Sequence, residues 1–155
     1  MKAGIVRPYN AYGPRDHFNP EISHVIPALI SRVFSGEDPL VVWGDGQQSR
    51  AFLYVEDFAR GVLEATERYP VADPVNLGTS EEIKVKDLVH MILKISRRNP
   101  TLIFDVSKPS GQPRRNCETS KAERLAGFKA KVSLLEGLTK TIRWYEKVLE
   151  FSGAP

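Results

Sequence analysis

The stretch that decides the fold is Arg7-Pro8-Tyr9-Asn10-Ala11-Tyr12-Gly13-Pro14, which continues through a polar loop to Ser23-His24-Val25-Ile26-Pro27-Ala28-Leu29. It predicts a strand over residues 3–7, a Gly-Pro turn, and a helix over residues 24–35 with Ser23 or His24 at its N-cap. Turns of this kind place side chains at the edge of a sheet, where α/β proteins bind ligands. We therefore expect functional residues in this stretch.

Short strands and amphipathic helices are predicted along the rest of the chain, which makes the fold α/β. Residues 40–43 and 50–55 are expected to form a pair of strands, separated by a Gly-Asp-Gly turn within a loop of about six residues. Glu56 and Asp57 then open a helix, since carboxylates suit the positive end of a helix dipole. The predicted apolar face of that helix consists of Phe58, Val62, Leu63 and Ala65.

The second half is predicted to add short strands at residues 75–78 and 101–104 and an irregular loop at residues 107–116. Capping-box spacing predicts two helix starts, at Ser120 and at Ser133, each followed three residues later by Glu. A third helix is indicated by an apolar stripe at helical spacing, from which His90 is excluded. The stripe consists of Val85, Leu88, Val89, Ile92 and Leu93.

Composition excludes several classes of function. The chain has 155 residues, of which 41% are hydrophobic and 26% charged, as expected for one soluble domain. Its net charge of +3 is scattered among acidic residues, so we expect no nucleic-acid partner. Cys117 is the single cysteine, which excludes a disulfide within the chain, and we expect it to be buried. No apolar run is long enough to span a membrane, so a cytoplasmic location without membrane contact is expected.

The opening stretch resembles the segment that follows the Tyr-x-x-x-Lys helix in extended short-chain dehydrogenase/reductases, the NAD-dependent epimerase/dehydratase family. The string from Gly13 to Pro20, followed by Ser23 to Leu29, is most similar to the GDP-fucose synthases, which are 3,5-epimerases and 4-reductases. The resemblance implies the C-terminal part of a Rossmann-like fold, with the last strands of the parallel sheet and a small mixed α/β subdomain. Residues 1–20 would end the Rossmann-like core and form the active-site loop. Residues 21–155 would form the nucleotide-sugar-binding subdomain, within a single partial domain.

The resemblance covers only the second half of the family's proteins. No Gly-x-x-Gly-x-x-Gly phosphate loop and no Tyr-x-x-x-Lys occurs in these 155 residues. We therefore expect the first strand to lack its neighbours, and we expect the chain to bind no NADP or NAD by itself, although the complete enzyme would use one of them. Pro8, Tyr9 and Asn10 would lie beside the nicotinamide in that enzyme. A second copy of the chain, or the missing N-terminal half, is the expected protein partner.

His24 and Asn10 are the first candidate site residues. An imidazole can exchange a proton near neutral pH, and in the resembling family the matching His is an acid/base of the epimerisation. The alternative is a helix-capping or core histidine. Asn10 can donate to and accept from a sugar hydroxyl, which is its implied role, or it can stabilise the turn locally. Val25, next to His24, is included as a substrate contact.

Four cations are candidates for the nucleotide diphosphate because Arg and Lys bind phosphate oxygens, although most such residues are simply solvated. They are Arg32, Arg50, Lys108 and Arg114. Arg50 matches the Arg of the family's Arg-x-Phe-x-x-Val-x-Asp signature. Lys108 and Arg114 lie in a loop that resembles the family's Lys-Pro-x-Gly-x-Pro-Arg loop, which closes over the nucleotide.

Trp43, beside Gly44, offers a flat aromatic surface for a purine and ribose, or else belongs to the core. No metal site is indicated, because the three His residues share no ligand spacing.

The resemblance implies that the chain is the substrate-binding half of a nucleotide-sugar epimerase/reductase, with a GDP-sugar favoured and no turnover by this chain alone. Two alternatives stay open: a non-catalytic module that binds nucleotide sugar or another chain, and half of a UDP- or dTDP-sugar epimerase or dehydratase.

Overall fold

A computed structural model describes residues 2–152, which form nine short strands and five helices. The strands are β1 (Val6–Pro8), β2 (Ala11–Tyr12), β3 (Leu40–Trp43), β4 (Ser49–Ala51), β5 (Leu53–Tyr54), β6 (Val75–Leu77), β7 (Glu82–Lys84), β8 (Leu102–Asp105) and β9 (Arg114–Arg115). The helices are α1 (Val25–Phe34), α2 (Val55–Arg68), α3 (Val85–Ser96), α4 (Ser120–Ala126) and α5 (Leu134–Ser152).

These elements divide into two compact units, each assembled from separate segments. The first unit takes the chain up to Tyr12, then Arg50–Glu82 and Arg115–Leu134. The second unit takes Gly13–Ser49, Ile83–Arg114 and the chain from Leu135 onward. The sequence-based division, by contrast, has one boundary after residue 20.

Parallel strand pairs lie at the centre of the first unit. β1 pairs with β6 in the register Val6 to Val75, and β2 pairs with β5 in the register Ala11 to Leu53. The first strand therefore has one parallel neighbour, whereas the sequence led us to expect none. Helices α2 and α4 contribute to a core that consists of Leu53, Ala65, Val75, Leu77, Ala122, Ala126 and Phe128.

The second unit contains a third parallel pair. β3 pairs with β8 in the register Leu40 to Leu102, so the prediction of a strand pair between residues 40–43 and 50–55 is wrong. Helix α1 lies one residue inside its predicted bounds at each end. Helix α3 buries the whole predicted stripe, and His90 is exposed as expected. Helices α1 and α3 contact each other within this unit.

Three local predictions are corrected. The single strand at residues 50–55 is two strands, β4 and β5, with Phe52 between them. Leu63 is 64% exposed and lies off the buried face of α2. Thr119, not Ser120, is the N-cap residue of α4, and it makes no side-chain capping bond, so the predicted capping box does not form there. Gly127 ends α4 as predicted, with a left-handed backbone (φ 69°) that suits glycine.

Candidate functional site

The candidate residues fall in both units and are described unit by unit. Pro8, Tyr9, Asn10 and Arg50 belong to the first unit. The second unit holds His24, Val25, Arg32, Trp43, Lys108 and Arg114.

Asn10 follows the carboxyl end of β1 and has a left-handed backbone, with φ at 45°. Its Nδ2 donates to the carbonyl of Ala51 at 2.9 Å, and its own carbonyl accepts from the amide of Leu53 at 3.2 Å. Asparagine is one of the few side chains that tolerates this backbone conformation. The side-chain bond of Asn10 therefore reaches a segment 41 residues further along the chain and is not a bond within its own turn, and its contact with substrate stays a prediction.

Tyr9, which directly follows β1, contacts residues that sequence reasoning did not select. Its amide donates to the carbonyl of Leu77 at 3.0 Å, and the guanidinium of Arg115 lies 5.7 Å from its ring centroid. The Cys117 sulfur sits directly over Gly78, so close that a Cβ at Gly78 would clash with it. Cys117 is half-buried, less than predicted, and burial raises the pKa of its thiol, with a smaller contribution from the Glu118 carboxylate.

His24 is the N-cap residue of α1 and is exposed. Its backbone is extended, its carbonyl accepts from the amide of Ala28 at 3.0 Å, and its side chain makes no capping hydrogen bond. It is therefore not a core histidine, and its ring does not cap the helix. Val25, the first residue of α1, is half-buried.

The loop before His24 is attached to α5 by an aromatic contact that sequence reasoning missed. Phe18 stacks on Tyr145 with ring centroids 4.5 Å apart and contacts Trp144 at 5.7 Å. Tyr145 also packs edge-on against Phe34, the last residue of α1, at 5.7 Å. One tyrosine thus contacts both the loop that precedes α1 and the end of α1 itself. Aromatic pairs separated by more than 100 residues give no local sequence signal.

Arg32 is held within the second unit. Its Nε donates to Glu37 at 2.7 Å, a second nitrogen pairs with the same carboxylate, and that nitrogen also donates to the carbonyl of Val41 at 2.6 Å. The hydrogen bond from Arg32 lowers the pKa of Glu37. This clasp connects the end of α1 to β3. A phosphate contact by Arg32 stays a prediction, and it would require these bonds to be replaced.

The second unit brings together the two segments that were predicted to hold the nucleotide. Trp43 is 58% exposed, so it is not a core residue. Gly44 has a left-handed backbone (φ +81°), and a Cβ built on it would come within 2.5 Å of Ser110 Cβ. The amides of Gly44 and Lys108 both donate to the carbonyl of Asp105, at 2.9 and 3.2 Å. The Trp43 turn and the loop that carries Lys108 are therefore in direct contact.

The remaining candidate cations lie on short strands. Arg50 is half-buried in β4, and Arg114 is exposed in β9. The first unit also has a polar cavity of about 230 Å³, which contains none of the predicted site residues. It is lined by Gly78, Thr79, Ser80, Glu118, Thr119, Ser120, Glu123, Phe128, Lys129 and Ala130.

Within residues 2–152, no group of three or more His, Cys, Asp or Glu side chains is arranged to hold a metal ion. No helix in the same range is both long and apolar enough to cross a bilayer.

The sequence model of the NAD-dependent epimerase/dehydratase family matches residues 1–78. The chain belongs to this family. Among curated relatives, the "Probable GDP-L-fucose synthase 1" of Oryza sativa subsp. japonica is 41% identical over 142 residues, which are 89% of this chain and 43% of that protein. The chain thus spans less than half the length of this relative.

Solved structures match the fold closely. A UDP-glucose 4-epimerase from Thermotoga maritima, with UDP-glucose, aligns with a TM-score of 0.87 at 29% identity over 96% of this chain and 47% of that one. A GDP-L-fucose synthetase from Naegleria fowleri, bound to NADP, aligns with a TM-score of 0.82 at 30% identity over 94% and 47%. The predicted fold class is confirmed: the chain has an α/β fold with parallel strand pairs and corresponds to part of a Rossmann-like epimerase.

Proposed function

We propose that this chain forms the nucleotide-sugar-binding part of an NAD(P)-dependent epimerase/reductase that acts on a GDP-sugar. The contact between the Trp43 turn and the Lys108 loop carries the proposal. It joins an exposed aromatic side chain and an exposed cation in one compact unit, and these could contact the base and the phosphates of a nucleoside diphosphate. The 41% identity to a GDP-L-fucose synthase favours guanine as the base.

His24 would provide the acid/base step of this reaction. A base takes a proton from a carbon next to the C4 ketone of the sugar, and an acid returns a proton to the opposite face, which inverts that carbon. An exposed imidazole that makes no capping bond can serve in either step. Asn10 and Val25 would contact the sugar. Arg50, Lys108 and Arg114 would bind the diphosphate, and Arg32 would join them only if it left its clasp.

Pro8, Tyr9 and Asn10 would contact the nicotinamide end of the cofactor in the complete enzyme. Pro8 and Tyr9 lie at the carboxyl end of β1, where α/β sheets bind ligands. When bound, NADP or NAD would supply the hydride that reduces the ketone. The 155 residues include no dinucleotide phosphate loop and no Tyr-x-x-x-Lys. We therefore expect neither tight cofactor binding nor turnover from these residues alone.

Calorimetric titration of the chain with GDP, UDP and dTDP tests the proposal. We expect selective binding of GDP. Lys108→Ala should weaken it by at least about tenfold, since a hydrogen bond to a charged group contributes about 1.5–3 kcal/mol. Lys94→Ala removes another exposed lysine, on α3, and should leave the affinity unchanged. Arg50→Ala, with its fold checked by circular dichroism, should also abolish binding. Absence of binding to all three nucleotides would refute the proposal.

Two other functions are supported by specific observations. The TM-score of 0.87 to a UDP-glucose 4-epimerase supports a UDP-sugar, and preferential binding of UDP would establish that choice. Within residues 2–152, β1 pairs only with β6, so its other edge can pair with a strand of another polypeptide. A stable dimer that binds no nucleotide, detected by mass determination in solution, would favour the non-catalytic interaction module.

A further inference from the structure

Gln48 is a buried polar residue that none of the functions above uses. It lies in the second unit, five residues after Trp43, and only 8% of its surface is exposed. Its Oε1 is buried and has no hydrogen-bond partner among the described residues. Its Nε2 lies 3.5 Å from the carbonyl of Trp43, at the outer limit of a hydrogen bond. A flip of the amide would bring two oxygens together at that distance, so the acceptor is left without a donor in either orientation.

The Gln48 amide lies beside the turn that is proposed to hold the nucleotide. Its Nε2 lies 3.7 Å from the point where a Cβ would be on Gly44, the residue against which Ser110 packs. The amide is therefore found where the Trp43 turn meets the Lys108 loop. Residues 107–113 of that loop are all exposed, as is typical of segments that open locally.

The geometry points to Gln48 as a further nucleotide-binding residue, whose Oε1 accepts a hydrogen bond from a donor group of the nucleoside when the Lys108 loop moves off Gly44. This inference rests on the proposed function. A buried acceptor without a donor is destabilising, and a ligand that supplies the donor removes that penalty only in the bound state. The amide would then favour binding at the expense of the stability of the free chain.

An amide that raises nucleotide affinity and lowers the stability of the free chain can be distinguished from a purely structural amide by measuring both quantities. Gln48→Met keeps the length of the side chain and removes its polar atoms. It should raise the dissociation constant of GDP by about tenfold and leave the melting temperature of the free chain unchanged or higher. Gln47→Met is the matched control, because Gln47 is adjacent and exposed. It should change neither quantity.

A measurement on the wild-type chain covers the case in which Gln48→Met fails to fold. In a ¹⁵N-labelled sample, saturation with GDP should shift the side-chain amide resonances of Gln48 and not those of Gln47. Unchanged GDP affinity in a folded Gln48→Met variant, or unshifted Gln48 resonances at saturation, would overturn the inference alone. Lower stability with unchanged affinity would identify a structural amide bonded to internal water. Failure of the wild-type chain to bind GDP would overturn both this inference and the proposed function.

Discussion

Asp57 is expected to be the most important single carboxylate for the stability of the first unit. Its side chain is only 3% exposed, and the residue lies in the first turn of α2. Its Oδ2 accepts from the amides of Lys131 and Val132, each at 2.8 Å, and its Oδ1 pairs with Arg60 at 2.6 Å. Arg60 in turn donates to the carbonyl of Lys129 at 2.7 Å. Asp57 and Arg60 thus fasten α2 to the segment that follows α4.

Asp57→Ala should lower the free energy of unfolding by about 3–5 kcal/mol, because it removes the charged acceptor of the Lys131 and Val132 amides, and each hydrogen bond to a charged group contributes about 1.5–3 kcal/mol. Asp57→Asn keeps an acceptor for the two amides and loses only the pair with Arg60, so a smaller loss of about 1–2 kcal/mol is expected. Urea unfolding followed by far-UV circular dichroism gives both values. The slope with urea should stay constant, because the area exposed on unfolding does not change.

Asp87→Ala is a matched control for this experiment. Asp87 is also the third residue of a helix that begins with Val, but it is exposed. Its removal should lose only the interaction with the helix dipole, about 0.3–1 kcal/mol. The difference between the two Asp→Ala variants therefore measures the contacts of Asp57 beyond its own helix. Equal losses would show that the bonds to Lys131 and Val132 contribute nothing.

Three further outcomes follow from the structure. Gly61→Ala should destabilise the chain by about 1–2 kcal/mol in thermal unfolding, although Ala favours a helix, because a Cβ there would lie 2.8 Å from the Phe128 ring. Glu37 has a lowered pKa, so its pairing with Arg32 stabilises the chain above about pH 4.5, and this stabilisation is lost as the pH falls through the pKa of Glu37 in the folded chain. Glu37→Gln should therefore make the melting temperature less dependent on pH below 4.5. The Cys117 thiol, whose pKa is raised by burial, should react with iodoacetamide more slowly at pH 8 than free cysteine, and an equal rate would contradict its half-buried position.

Local sequence pattern predicted the elements whose causes are local. Helix α3 follows directly from the spacing of its apolar stripe, and α1 was placed within one residue at each end. The strand pairs could not be predicted in the same way. β3 pairs with β8, which lies about 60 residues further along the chain, and parallel pairing of this kind leaves no mark on the intervening sequence.

The candidate site shows the same limit. The motif around His24 correctly identified a helix start, although the His24 side chain itself makes no capping bond. It did not identify Phe18 as the residue that attaches the preceding loop to Tyr145, a contact across 127 positions of the sequence. Asp57 was recognised for its favourable place at a helix start, whereas its bonds to Lys131 and Val132 span more than 70 residues.

The hydrogen bonds of Arg32 make it a weaker candidate for phosphate binding than its sequence position suggests. Arg32 was one of four candidate cations for the diphosphate. Arg32 is 23% exposed, and a phosphate could use its guanidinium only after the pair with Glu37 and the bond to the Val41 carbonyl were broken. A hydrogen bond to a charged group contributes about 1.5–3 kcal/mol, so a phosphate contact would replace that clasp with little net gain. Lys108 is exposed and lies in the loop that contacts the Trp43 turn. Of these two cations, Lys108 is therefore the one that can contribute its full charge to the nucleotide.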